Sequence, residues 1–222
     1  MTSDTLQKYK KWHIFATQMN PGPQSKADCY KSIAAPSKGI FKDKGSKFLA
    51  FAYPVESEEE AKAIISTLKR EYFDARHHCY AWRLGLLGDR WRANDDGEPS
   101  STAGKPILGQ IISNGLSDIL IVVVRYFGGT LLGTSGLINA YKSASADAIA
   151  AAKVAEKIAT ARYRISFDYA QMNAVMKCLK DFRLAVELPS FGDECTLETS
   201  VPLSSEAIFT ESMNKIAICT RI

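Results

Sequence analysis

The chain has 222 residues, 46% of them hydrophobic, and 28 basic against 24 acidic side chains give a net charge of +4. That apolar share excludes a disordered chain, and the charge is too mild to hold nucleic acid or an anionic membrane by itself. The length allows one large or two small domains, each able to bury a core.

Five scattered cysteines, Cys29, Cys79, Cys178, Cys195 and Cys219, are odd in number and show no Cys-x-x-Cys spacing. Such a pattern argues against a disulfide framework or structural zinc and for reduced thiols in the cytosol. The longest apolar run, residues 119–124, is far short of the roughly 20 residues a spanning helix needs. No apolar h-region of a signal peptide is visible, so a soluble cytoplasmic protein is expected.

Taken in chain order, residues 1–29 read as a poorly ordered extension. Lys8, Lys10 and Lys11 precede Asn20-Pro21-Gly22-Pro23, which cannot continue a helix. Met19 is an alternative start of translation. Residues 32–36 suggest a first short strand, and residues 47–53, aromatic and following Gly45-Ser46, a second. Ser57 is an N-cap candidate with Glu60 at the capping-box position; Ala61, Ile64, Ile65, Leu68 and Tyr72 continue at helical spacing. Residues 77–84 read as a strand with His77, Cys79 and Ala81 on one face and His78, Tyr80 and Trp82 on the other. A helix is expected over residues 107–114, introduced by Pro106. The apolar run 119–127 reads as a strand buried on both faces. Residues 135–152 form the strongest helix, whose alanines and serines permit close packing on a sheet.

A second unit is expected from about residue 156. It comprises a strand over 162–169, a helix over 170–182, a hairpin of 184–188 with 195–202 around Phe191-Gly192-Asp193, a helix over 204–214 and a strand over 216–222. This βαββαβ order is that of a small ferredoxin-like domain. Its charges balance at eight basic and eight acidic from residue 157 on, and it carries no catalytic constellation.

The chemistry concentrates between residues 95 and 140. Asp95, Asp96 and Glu98 within one turn are candidates for a hard-cation site or a general base. Asp96-Gly97-Glu98-Pro99 also has the composition of a solvated turn. Ser100-Ser101-Thr102-Ala103-Gly104-Lys105 follows, able to cap a helix or line a recess. Arg125-Tyr126-Phe127-Gly128-Gly129 ends a strand and Gly133-Thr134-Ser135-Gly136 opens a helix. A glycine turn at a helix N-terminus suits an anion, though it also suits plain tight turning. His77 and His78 alternate across a strand and cannot chelate one ion together; His77 and Cys79 share a face without an evident third orienting residue. Arg76, Arg83, Arg90, Arg92, Lys105 and Arg125, interleaved with Tyr80, Trp82, Trp91 and Tyr126, are candidates for RNA contact. The same residues can equally be core, rim and ion-pair partners.

Three blocks carry a resemblance: Ala75-Arg76-His77-His78-Cys79-Tyr80-Ala81-Trp82; the stretch from Asn94-Asp95-Asp96-Gly97-Glu98-Pro99 to Ile107-Leu108; and Val122-Val123-Val124-Arg125-Tyr126-Phe127-Gly128-Gly129 on to Tyr141. With Lys44-Gly45-Ser46-Lys47-Phe48, they make residues 39–152 similar to the IMPACT family, in its bacterial YigZ-like branch. Ser135 and Thr130 depart mildly from its usual glycine and aliphatic residue.

The resemblance implies an α+β protein. Residues 30–155 would form a ribosomal protein S5 domain 2-like domain, and residues 156–222 a ferredoxin-like domain resembling domain V of elongation factor G. It further implies a non-enzymatic link to translational regulation and stress response, with RNA, the ribosome or a regulatory protein as partner. Eukaryotic relatives modulate the amino-acid-starvation kinase pathway by competing for its activator. Neither cofactor nor metal is expected. The expected binding face comprises Arg76, His77, Asp95, Asp96, Gly97, Glu98, Thr102, Gly104, Lys105, Arg125, Tyr126, Gly128, Gly129, Gly133 and Gly136. Should the protein be a hydrolase or phosphate-handling enzyme instead, His77, Asp96 and Glu98 are the catalytic candidates.

Overall fold

The computed structural model describes residues 26–191 and 195–222. The expected N-terminal extension with its alternative start at Met19 lies almost wholly outside these residues, as do Gly192 and Asp193 of the expected hairpin turn. The chain divides into a unit over Tyr30–Lys157 and another over Ile158–Ile222, the latter joined by residues 26–29.

The first unit is built on a five-stranded antiparallel sheet in the order β2-β3-β6-β4-β5. Its strands are β2 (Ser37–Asp43), β3 (Ser46–Pro54), β4 (His77–Leu84), β5 (Arg90–Asn94) and β6 (Ile119–Tyr126). The central strand β6 is buried from Ile119 to Arg125, because both sheet faces are covered. On one face Ile119, Ile121 and Val123 join Phe48, Ala50, Cys79 and Ala81 in a core closed by helices α2 (Gly104–Ser113) and α3 (Gly133–Ala150). On the other, Leu120, Val122 and Val124 meet Phe51 and Trp82 under helix α1 (Glu58–Glu71). The period-two alternation thus divides one apolar run between two cores.

Local chemistry sets the helix ends. Ser57 Oγ accepts the Glu60 N–H at 3.1 Å, while the Glu60 carboxylate turns back to the Glu56 N–H at 2.8 Å. This is a capping box displaced by one residue. α2 starts at Gly104 rather than at residue 107, and α3 at Gly133 rather than 135. α3 lies so close to β2 that a Cβ on Gly39 would sit 2.2 Å from the Ala148 nitrogen. Ser37 Oγ donates to the Ala148 carbonyl and the Ile40 N–H to Asp147, so the helix shields that sheet edge.

Three strands escape the sequence expectation: β2, β5 and β7 (Val154–Ile158). β7 pairs with β1, which spans Cys29–Ile33 instead of residues 32–36. These strands are short and largely polar, so they lack the alternation that marks a half-buried strand.

In the second unit, β8 (Thr160–Phe167), α4 (Met172–Asp181), β9 (Glu187–Phe191), β10 (Cys195–Pro202), α5 (Glu206–Asn214) and β11 (Ile218–Arg221) follow the expected order of element types. The sheet order is β11-β8-β10-β9. Both helices begin later than expected, each behind a short 3-10 turn, at Tyr169–Gln171 and Leu203–Ser205. β9 begins at Glu187 rather than 184, because Leu184 is drawn into the core beside Leu179 and Phe209. The opposite sheet face carries Arg162 and Arg164 bound to Glu198 at 2.7 and 2.8 Å.

Candidate functional site

Neighbouring strands bring Phe48 of β3, Arg125 of β6 and His77 of β4 into one cross-strand row. This row lies at the end of the sheet where β5 leads into the acidic turn. Asp96 (φ 42°) and Gly97 (φ 86°) adopt the left-handed conformation there, followed by Ser101 (φ 65°).

The carboxylates of this turn face three different ways. Asp95 folds over the start of α2: one oxygen accepts the Ala103 and Gly104 N–H groups at 3.0 and 2.8 Å, the other the Ser101 N–H at 2.8 Å. It takes the place of a conventional N-cap, since Ala103 offers no side-chain cap. Gly104 is obligatory beneath it, because a Cβ would approach the Asn94 nitrogen to 2.5 Å. Thr102 is buried and donates to the Pro99 carbonyl.

Asp96 reaches back to β4 and α1, accepting the His78 N–H at 2.7 Å and the Lys69 ammonium at 2.7 Å. Partial burial raises its pKa, but these hydrogen bonds outweigh burial and hold the carboxyl below its ordinary value. Its carbonyl lies 2.8 Å from His77 Nδ1. His78 Nε2 sits 3.0 Å from the Tyr72 carbonyl, and burial lowers its pKa.

Glu98 points inward. Only 3% of its side chain is exposed; its Oε1 is 2.5 Å from Arg125 Nη1 and accepts the Tyr141 hydroxyl at 2.8 Å. The Arg125 guanidinium lies 5.4 Å from the Phe48 ring centre and 5.7 Å from that of Phe127, a low-dielectric sleeve around the pair. His77 Nε2 is 3.9 Å from Glu98 Oε1, and Gly97 passes close to the His77 ring. Cys79 Sγ lies 3.0 Å from the Asp95 carbonyl and 3.2 Å from Tyr141 Oη, its one proton shared between these acceptors. Burial pushes both the Cys79 thiol and the Tyr141 phenol well above their ordinary values, so the thiol is no ready nucleophile.

His77, Asp95, Asp96, Glu98, Gly104 and Arg125 are thus brought together around the acidic turn, with Gly97 and Thr102 within the turn itself. Its further partners, Tyr141, Lys69 and Asn94, are marked as such by no motif in the sequence. Tyr141 lay in plain sight at helical spacing from Leu137, Ala144 and Ala148, but as an apparent core residue. Tyr126 projects from the other sheet face, where its hydroxyl bonds Asp74. Arg76 and Lys105 are exposed nearby in the chain. In the glycine segment, Gly128 lies against Gly45, where a Cβ would come within 1.9 Å of backbone, and its N–H bonds Ser46 Oγ. Gly129 (φ 86°) sits in an exposed loop and Gly133 (φ 71°) opens α3, each with open space around it; Gly136 packs on Leu132.

The remaining cations expected to contact RNA are largely spent. Arg83 donates to the carbonyls of Leu87, Gly88 and Leu116, Arg90 lies 3.6 Å from Glu58, and Trp82 is buried. Arg92 and Trp91 are exposed on β5, while Tyr80 is half-buried. Among the described residues, no group of three or more His, Cys, Asp or Glu side chains is placed to hold a metal ion. No helix among them is long and apolar enough to cross a membrane.

The model of the Impact N-terminal domain matches residues 44–149. The Escherichia coli (strain K12) protein described as IMPACT family member YigZ is 38% identical over 144 residues, 64% of this chain and 71% of that protein. IMPACT family member YvyE of Bacillus subtilis (strain 168) is 32% identical over 171 residues, 77% of this chain and 79% of its own length. A crystal structure described as that of a hypothetical protein superposes with a TM-score of 0.68 at 30% identity, covering 88% of this chain and 98% of the other.

Proposed function

Because this chain belongs to the IMPACT family, we propose that it is a non-enzymatic binding protein of translational control, acting through RNA, the ribosome or a regulatory protein. The observation that carries this reading is the employment of the acidic turn. Asp95 caps a helix, Asp96 ties the turn to Lys69 and His78, and Glu98 neutralises Arg125. Three carboxylates spent on internal partners give a rigid, preorganised surface rather than a free base or a ligand set. Preorganisation serves recognition by lowering the ordering cost of binding.

On this reading, the first unit takes the ribosomal protein S5 domain 2-like fold and the second the ferredoxin-like fold seen in domain V of elongation factor G. The β11-β8-β10-β9 order supports the latter. The open face of that second sheet carries Arg162, Arg164, Glu198 and Thr220 rather than the aromatic platform on which βαββαβ modules stack bases. RNA contact is accordingly assigned to the first unit. Five scattered cysteines without Cys-x-x-Cys spacing fit a reducing cytoplasm.

A hydrolytic or phosphate-handling reading based on Glu98 or Asp96 has less support, since each would have to leave a charged partner to act. Sedimentation of the purified protein with ribosomes through a sucrose cushion, over a range of salt concentrations, tests the proposal. Salt-sensitive cosedimentation is expected. Its absence, together with turnover of a phosphoester or peptide that disappears in Glu98→Gln, would favour the enzyme.

A further inference from the structure

The β2–β3 hairpin carries lysines that no acidic group among the described residues neutralises. Strand register pairs Lys38 with Phe51, Ile40 with Leu49 and Lys42 with Lys47, and Lys47 in turn faces Tyr126 on β6. Phe51, Leu49 and Tyr126 belong to the sheet face that carries α1, so Lys38, Lys42 and Lys47 stand on that face with them. Lys44 occupies the hairpin turn in the left-handed conformation (φ 45°). All four lysines are exposed, and among the described residues none of them forms an ion pair. The acidic groups nearby are engaged elsewhere: Asp74 holds the Tyr126 hydroxyl, and Asp147 holds the Ile40 N–H at the strand edge. Asp43, paired in register with the buried Ser46, points to the other face.

Between these lysines the face is largely apolar. A groove of about 260 Å³ is lined by Lys38, Ile40, Leu49, Phe51, Tyr72 and, at its edge, Asp147, whose carboxylate is taken by the Ile40 N–H; Ile40 is 47% exposed. Phe51 and Tyr72 lie against one another with ring centres 5.1 Å apart, and the Lys38 ammonium sits 5.3 Å from the Phe51 ring centre. Lysine is a mobile point charge without arginine's fixed fork, so a lysine array suits phosphates in varied geometry rather than one bidentate carboxylate. Apolar and aromatic ground beside such an array is the arrangement that holds unstacked bases of a single strand without reading their sequence.

We infer that this face, Lys38, Lys42, Lys44 and Lys47 around the Ile40–Leu49–Phe51 groove, binds single-stranded RNA through its phosphates. Exposed Ile40, with half-buried Leu49 and Tyr72 over the buried Phe51, takes an unstacked base. The inference rests on the translation-linked reading and adds the surface and ligand class. It also moves RNA contact away from the arginines of β4, β5 and β6.

The test is fluorescence anisotropy of a labelled oligouridine with the full chain over a potassium chloride series. It compares wild type, a Lys38→Gln/Lys42→Gln/Lys47→Gln variant and a control of equal charge, Lys62→Gln/Lys177→Gln/Lys215→Gln. A single strand loses about 0.7 of log–log salt slope per phosphate contact removed, so the hairpin variant should lose about 2. Its affinity at low salt should fall about tenfold or more, while the control stays close to wild type. The corresponding triple Arg variant should keep binding, which separates charge from any change in fold. Unchanged affinity and slope in the hairpin variant would overturn the inference. So would an equal loss in the control, or displacement of RNA by polyglutamate at matched charge, which would mark an acidic protein as the occupant. Ribosome cosedimentation that persists in a hairpin variant unable to bind oligouridine would overturn this surface's role in translation while sparing the broader function. Lysine-dependent RNA binding without any ribosome cosedimentation would do the reverse.

Discussion

Glu98 and Arg125 join the turn after β5 to the end of β6 through a buried contact of 2.5 Å, with 3% and 7% of their side chains exposed. The pair is enclosed by Phe48, Phe127 and Tyr141, so neither charge has water as a substitute partner. Removing one member strands the other, which costs about 3–5 kcal/mol in buried pairs. Glu98→Gln is therefore expected to lower unfolding stability by about that amount, and Glu98→Leu/Arg125→Met to recover much of it. Urea unfolding of the three proteins checks this. Full stability in Glu98→Gln would show that the pair does not hold the turn.

Asp95 replaces a missing N-cap on α2 by accepting three backbone N–H groups. Asp95→Ala should cost about 1–2 kcal/mol, the range of a lost cap, whereas Asp95→Asn, which keeps an acceptor, should cost less. Amide exchange would locate the loss at Ser101, Ala103 and Gly104. Uniform exchange across the unit would contradict a local capping role.

Two glycines separate steric from conformational demand. Gly39→Ala drives a methyl into the Ala148 backbone 2.2 Å away, while Gly129→Ala meets open space at φ 86°. Overpacking typically costs about 1–3 kcal/mol and can exceed that when the obstacle is backbone. A left-handed alanine costs about 1–2 kcal/mol. Gly39→Ala should therefore have the lower melting temperature of the two, and the reverse order would contradict the close approach of α3 to β2.

Acid should weaken the fold in two steps. Burial lowers the pKa of His78, so at pH values below its ordinary 6.5 the unfolded chain takes up a proton that the native chain refuses. Stability then falls as pH drops below about 6.5, and His78→Gln should flatten that part of the profile. Asp96, held below its ordinary 3.8, contributes stability above that value and loses it as pH falls further. Asp96→Asn should remove this second step. Urea midpoints measured from pH 8 to pH 3 check both; a profile flat from 7 to 5 in the wild type would refute the His78 contribution.

The sequence revealed much of this arrangement, unevenly. Alternation in residues 77–82 correctly separated Cys79 and Ala81 from Tyr80 and Trp82, because a strand of period two leaves little freedom. β5 was hidden because Arg90-Trp91-Arg92 has the composition of a charged loop, and only its pairing with β4 makes it a strand. The partners of the acidic turn were hidden for a related reason. Lys69 lies 27 residues before Asp96, and Tyr141 lies 43 residues after Glu98, distances that no local pattern spans. The lysines of the hairpin stand in the sequence as Lys38, Lys42, Lys44 and Lys47. Register alone shows that Lys38, Lys42 and Lys47 share a face and that Asp43 does not.

The most direct test of a translation-linked binding protein is ultraviolet crosslinking of the full chain to RNA in cells, with the crosslinked peptides identified by mass spectrometry. Crosslinks to ribosomal or other translation-associated RNA are predicted, concentrated in residues 38–53. Crosslinks confined to residues 158–222, or recovery no greater than that of an unrelated protein of similar charge, would contradict the account.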